Sequence, residues 1–162
     1  MKTILAAIDF SPVSRRVVAE AITLARSMHG RVVLLHAVKP PAIVTDLAPL
    51  VGEALQFTAE VDRAARENLR RWQKRLADRG TTVETVCQQG FPLGAILAQA
   101  EELEACCIVI GSHGHTAFYD LVMGSTASGI LKRAKCPVVV VPAKVERKAS
   151  RPRKGRRRGR SN

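Results

Sequence analysis

Five short apolar runs alternate with four amphipathic stretches along this chain. Residues 2–8 (Lys-Thr-Ile-Leu-Ala-Ala-Ile) read as a first buried strand, and Asp9-Phe10 follow it. Ser11 then fits a helix N-cap with Pro12 at the first helical position. Val18, Ala21, Ile22, Ala25 and Met28 keep helical spacing, and Gly30 fits a C-terminal stop. Arg31 to Val38 form a second strand, ended by Pro40-Pro41. A long helix is expected from about Gly52 to Arg79. Its inner stripe is Leu55, Thr58, Val61, Ala65, Leu69, Trp72 and Leu76, and its wet side carries Asp62–Arg66 and Glu67–Arg71 pairs at i,i+4. Gly80 closes it. Thr82 to Gln88 alternate like a strand with one wetter face. Gly90-Phe91-Pro92 opens a third helix with Leu93, Ile96, Leu97, Ala100 and Leu103 inward. Cys106 to Ile110 read as a fourth strand, Thr126 to Ala134 as a fourth helix, and Pro137 to Val141 as a fifth strand.

The order βαβαβαβαβ predicts an α/β fold: one Rossmann-like, doubly wound, five-stranded parallel sheet with helices on both faces. In such sheets ligands bind at the carboxyl ends of strands, where the strand order reverses. Asp9 ends the first strand and Gly111 ends the fourth. If those strands are neighbours, both flank one crevice.

The chemistry concentrates after the fourth strand. Gly111-Ser112-His113-Gly114 is followed, nine residues on, by Gly124-Ser125-Thr126. Glycines let the backbone approach an anion without a Cβ in the way. The first N–H groups of a helix lack intrahelical partners and point at a ligand placed there. Strand, glycine loop and helix start together make a phosphate cradle; the plainer reading is a turn and an ordinary N-cap. Asp9 suits ribose hydroxyls better than phosphates; the plainer reading is a turn or cap residue, and its place at a strand's carboxyl end, opposite the glycine loop, favours the ligand.

Composition narrows the picture. The chain of 162 residues suits one domain, and apolar residues make up 46% while aromatics are only 4%, so the core is aliphatic. No run reaches the ~18 apolar residues of a membrane span. The strand-like N-terminus lacks the features of a signal peptide, so a cytoplasmic protein is expected. Cys87, Cys106, Cys107 and Cys136 lie in or beside apolar runs without CxxC spacing, which favours reduced, structural thiols. Cys106 and Cys107 should point to opposite sheet faces. The net charge of +12 is uneven: residues 144–162 hold ten of the 26 Lys and Arg and one of the 14 acids, a net of +9, and leave +3 for residues 1–143. The expected division is a folded body over 1–143 and a basic disordered tail over 144–162.

Ile8-Asp9-Phe10-Ser11, Gly111-x-x-Gly114 with nine residues before Gly124-Ser125, and Cys136-Pro137-Val138-Val139-Val140 together resemble the universal stress protein family, in its ATP-binding branch. The resemblance covers about residues 2–142. It implies sheet order 3-2-1-4-5, a homodimer, and a role in surviving stress. It also implies that Asp9 holds the ribose or adenine side of ATP, that the Ala37 backbone meets the adenine edge, and that Ile8 and Ile110 line the base pocket. Gly111, Gly114, Gly124, Ser125 and Thr126 would cradle the phosphates, with Mg²⁺ as an optional companion. The Pro137–Val141 strand, paired with its copy, would form the dimer.

Within the loop, His113 and His115 could donate to phosphate oxygens; a metal site lacks further ligands at suitable spacing. Asp120 reads as an Mg²⁺ ligand or as an exposed loop aspartate. His29 and His36 read as packing or cap residues. With no GK[ST] lysine and no Walker-B acid, binding with at most slow ATP hydrolysis is expected, rather than an enzyme. The resulting function is an adenine-nucleotide-binding regulator or chaperone-like factor in the stress response. The alternative is a nucleic-acid-associated protein that uses Lys144–Arg160 on RNA, DNA or acidic surfaces, with the α/β body as a dimeric platform.

Overall fold

The computed structural model describes residues 1–40, 50–77, 80–113 and 123–143. The basic tail, Gly114, His115 and Asp120 therefore lie outside the described residues. The elements are β1 (Thr3–Ala7), α1 (Ser14–Ser27), β2 (Arg31–Val38), α2 (Leu50–Leu76), β3 (Val83–Gln89), α3 (Pro92–Glu102), β4 (Cys107–Gly111), α4 (Ser125–Arg133) and β5 (Val138–Val141). They form one five-stranded sheet in the order β3-β2-β1-β4-β5, and every neighbouring pair is parallel.

Strand periodicity divides the core in two. Ile4, Ala6, Val32, Leu34 and Val109 face one side, where Val17, Val18, Ala21 and Ile22 of α1 and Leu69 and Leu76 of α2 cover them. Leu5, Ala7, Val33, Leu35 and Ile108 face the other, under Ile96 and Ala100 of α3 and Ala127 and Ile130 of α4. β1 is fully buried because neighbours flank it on both edges and helices cover both faces.

Several local expectations shift. Helix α1 begins at Ser14 with Val13 as N-cap, not at Ser11-Pro12. The left-handed residue ending α1 is His29 (φ 52°), not Gly30. Gly30 is needed for another reason: a Cβ there would lie 2.4 Å from the Lys2 carbonyl oxygen. Val61 is 38% exposed, so the inner stripe of α2 narrows to Ala65, Leu69, Trp72 and Leu76 over the described side chains. Cys106 precedes β4 and packs against the same cluster as Cys107, so the alternation does not apply to it. The Asp62–Arg66 and Glu67–Arg71 pairs form, the first at 2.7 Å. Gly80 (φ 65°) and Gly90 (φ 138°) sit where a left-handed backbone is required.

Candidate functional site

The site follows from the place where the chain reverses its direction across the sheet. β1 and β4 are hydrogen-bonded neighbours, with Ala7 opposite Ile110. The helix after β1 packs on one face, and the helix after β4 packs on the other. Their N-termini diverge and leave a crevice above the carboxyl ends of the two strands. The crevice is a cavity of about 470 Å³, within the usual range for small-molecule pockets.

Asp9 sits where β1 gives way to α1. Its Oδ1 accepts the Ser11 backbone N–H and the Ser14 hydroxyl, each at 3.0 Å. This contact explains the late start of α1. The carboxylate closes a turn on the Ser11 N–H, and the Ser14 N–H, within reach of a Ser11 side-chain cap, donates instead to the Ser11 carbonyl oxygen at 3.0 Å, so Ser11 to Val13 become a turn. Asp9 thus both shapes the entry to α1 and lines the cavity.

Opposite it, Gly111 and Gly124 do different jobs. A Cβ on Gly111 would lie 2.7 Å from Val13 Cγ1, so the glycine lets the start of α1 approach β4. A Cβ on Gly124 would lie 3.2 Å from the Ser112 carbonyl oxygen, which accepts the Gly124 N–H at 2.8 Å. Gly124 is the N-cap of α4 and offers no side chain to its first turn. The first N–H groups of α4 therefore have no partner from within the helix, and Ser125, Thr126 and Ala127 line the cavity. Ser112 braces this region: its N–H donates to Val141 at 2.8 Å, and its Oγ accepts the Ala143 N–H at 3.0 Å.

Of the ten residues singled out in the sequence, Ile8, Asp9, Ala37, Ile110, Gly111, His113, Gly124, Ser125 and Thr126 line this one cavity. Gly114 lies outside the described residues. Ile8 and Ile110 are buried walls. His113 Nδ1 lies 3.0 Å from Ser112 Oγ, and its Nε2 is buried with no hydrogen-bond partner among the described residues.

Sequence reasoning missed His36, Lys39 and Ser112 as lining residues. His36 does pack, against Phe10 with ring centroids 4.4 Å apart, and its Nδ1 is 2.9 Å from the Ile8 carbonyl oxygen. A carbonyl can only accept, so that contact assigns the proton to Nδ1. Phe10 reaches this stacking with a left-handed backbone, φ 64°. The available signal was position: His36 precedes Ala37 at the end of β2, the strand beside β1. Ser112 was legible as part of the glycine loop, but its bond to Ala143 was not.

The opposite end of the sheet holds a smaller cavity of about 200 Å³, lined by Leu97, Ala105, Arg133 and Cys136 among others. The Glu101 carboxylate lies beside it, held below the usual range by its hydrogen bond and ion pair with Lys135 at 2.6 Å. Burial pushes the Cys136 and Cys107 thiols up. It also pushes Cys87 up to about 11, with the Asp62 charge adding to the effect. These three thiols are protonated at neutral pH and poor nucleophiles. Among the described residues no helix is long and apolar enough to cross a membrane.

Residues 1–142 match the model of the universal stress protein family. The chain is 32% identical over 143 residues to universal stress protein A homolog 1 of Coxiella burnetii, covering 86% of this chain and 95% of that one. It is similar to the solved structure of a hypothetical protein of Methanocaldococcus jannaschii, with a TM-score of 0.78 and 25% identity over 88% of this chain and 96% of that one. It is also similar to a universal stress protein from Archaeoglobus fulgidus solved in complex with dAMP, with a TM-score of 0.61 and 24% identity over 86% and 96% of the two chains.

Proposed function

Because the chain belongs to the universal stress protein family, we propose that it binds an adenine nucleotide, ATP in particular, in the cavity above β1 and β4. The carrying observation is the convergence there of Asp9, Gly111, Gly124 and the uncapped start of α4. The walls of Ile8 and Ile110 suit a base, and the Ala37 backbone at the end of β2 suits its hydrogen-bonding edge. Asp9 is an acceptor for ribose hydroxyls. Gly124, Ser125, Thr126 and His113 suit phosphates, with Gly114 as a further member of the loop. The adenine nucleotide seen in the Archaeoglobus relative supports the same ligand class. ATP is favoured over a monophosphate because His113, just after β4, and Gly124 to Thr126, at the start of α4, line the same cavity and can share a phosphate chain, with Mg²⁺ as a companion of those phosphates.

In this reading the protein is a cytoplasmic regulator or chaperone-like factor of the stress response, not an enzyme. The sequence from Gly111 to Thr126 contains no lysine for a terminal phosphate, so hydrolysis is at most slow. ATP acts by binding one conformation better than another. β5 is an edge strand whose Val138, Val139 and Val140 are only partly buried. Pairing with a second copy would cover them and give a homodimer.

The test is to strip the purified protein of nucleotide and titrate it with ATP by calorimetry. Saturable binding that Gly124→Val abolishes is the expected result. No binding heat, and no adenine compound released on denaturation, would reduce the glycine loop to a structural turn.

A further inference from the structure

The two helical layers differ in charge. α1 and α2, on one face of the sheet, carry nine Lys or Arg and five Asp or Glu, a net of +4. α3 and α4, on the other face, carry two of each. The excess is concentrated further: from Arg63 to Leu76, α2 holds six cations and one acid, Glu67. Two of the six are satisfied within the helix, Arg66 by Asp62 and Arg71 by Glu67. Arg63, Arg70, Lys74 and Arg75 are exposed and make no ion pair among the described residues. Lys74 and Arg75 suit the negative end of the helix dipole. Arg63 and Arg70 lie before the last turn, where that attraction has faded.

Arg70 follows Arg63 by seven positions and Lys74 follows it by eleven, close to two and three helical turns. The three therefore stand in one row, about 16 Å long. Ala65, Leu69 and Leu76 are buried on the opposite side of α2, which packs on β2 and β3, so the row faces outward. The surroundings of the row select among polyanions. The apolar side of α2 is committed to the sheet, which leaves no amphipathic face to lie in a membrane. Trp72 packs against the core, and no exposed aromatic lies between Arg63 and Leu76 to stack an unpaired base. What remains is charge along a straight line. A nucleic-acid duplex offers one phosphate charge per about 1.7 Å of its axis, on the order of ten over the length of the row.

We propose that the outer row of α2, Arg63, Arg70 and Lys74, is a docking surface for the phosphate backbone of a nucleic-acid duplex. The contact is to phosphates alone, so it is independent of base sequence and weakens with salt. The row is separate from the cavity above β1 and β4, none of whose described lining residues belongs to α2. The proposal therefore stands whether or not that cavity takes a nucleotide.

The experiment uses the full chain and labelled DNA and RNA duplexes of mixed sequence, read by fluorescence anisotropy. The unmodified protein is compared with an α2 variant, Arg63→Gln, Arg70→Gln, Lys74→Gln, and with an α4 variant, Lys132→Gln, Arg133→Gln, Lys135→Gln, which changes the charge equally on the other face. A third variant, Arg63→Lys, Arg70→Lys, keeps the charge of the row. Residues 144–162 are the same in all of them, so their net +9 cancels from the comparison. At about 50 mM salt the α2 glutamine variant should lose about tenfold in duplex affinity, and its logarithmic salt slope should flatten by about 2–3. The α4 variant should stay within about threefold and the lysine variant within about twofold. Binding of DNA, RNA or both identifies the duplex that the row takes. The proposal is overturned if neither duplex binds, if the α2 glutamine variant binds as the unmodified chain does, or if it loses no more than the α4 variant. It is also overturned if a single strand, or vesicles of phosphatidylserine, show the α2-dependent loss and the duplexes do not.

Discussion

The two ends of the sheet use glycine for opposite purposes. At the amino end, Gly30 lets the turn after α1 press onto the Lys2 carbonyl, closing that end. The helix C-termini there are finished by their own turns. Gly30 N–H returns to Ala25 at 2.8 Å, and Ala105 N–H returns to Ala100 at 2.8 Å. Their terminal carbonyls are thus partly satisfied from within. At the carboxyl end, Gly111 and Gly124 bring β4, α1 and α4 close around a space that stays open. There the helix N-termini lack side-chain caps at Val13 and Gly124. One end spends its backbone groups on the fold, and the other leaves them facing a cavity. Stability and ligand affinity should therefore be separable by end.

The sharpest separation should come from Gly124→Val. It puts bulk 3.2 Å or closer to the Ser112 carbonyl and blocks the start of α4. Calorimetry should show ATP affinity falling by at least about 100-fold, or roughly 2.7 kcal/mol, with a much smaller loss of stability. Gly30→Ala should do the converse. A Cβ 2.4 Å from backbone oxygen forces a shift, and overpacking of this kind costs about 1–3 kcal/mol. Denaturant unfolding should show that loss while ATP affinity, measured on the folded protein, holds. If Gly30→Ala weakened ATP binding as much as Gly124→Val did, the two ends would not be independent.

Asp9→Ala touches both properties. Loss of the bonds to Ser11 and Ser14 should cost about 1 kcal/mol of stability. ATP affinity should fall about tenfold through loss of a hydroxyl acceptor. An affinity equal to wild type would confine Asp9 to its turn. Smaller still, Glu104→Gly should stabilise by about 0.5–1 kcal/mol, because Glu104 ends α3 at φ 46°. Thermal unfolding that moved downward would show that the Glu104 side chain matters more than its backbone.

Asp62 belongs to neither end and serves as a control. Its carboxyl is lowered from 3.8, first by the Arg66 hydrogen bond, while its own burial opposes. A depressed folded-state value contributes stability that is present above 3.8 and lost as pH falls through the lower folded value. Asp62→Asn should thus cost at most about 0.5 kcal/mol at pH 7. That difference should vanish at low pH, as unfolding at the two pH values would show. A cost that persisted in acid would point to packing instead of charge.

Much of this was legible along the chain because periodicity records burial. The five apolar runs mark the strands to within a residue or two, and the glycine spacing marks the loop after β4. What was misread depended on partners far away in sequence. The N-cap of α1 moved because Asp9 holds the Ser11 N–H and the Ser14 hydroxyl, and the Ser14 N–H turns back to the Ser11 carbonyl. Gly30 serves an approach to Lys2, which no local pattern encodes. Val61 keeps helical spacing yet is 38% exposed, because the pattern states a face but not how far the sheet extends beneath it.

The sequence by itself determined the alternation of strands and helices, the aliphatic core and the glycine loop, since each follows from local spacing and residue type. It also supplied the family, through the motif around Gly111 and Gly124. Only the tertiary structure decided that Asp9, Ala37, Gly111 and Gly124 share one cavity, because that requires β1 and β4 to be neighbours and their helices to leave on opposite faces. It alone decided that Ser112 joins Gly124, at the start of α4, to Ala143. Hydrogen bonds between residues about 30 positions apart are set by the strand order, and no local pattern specifies it.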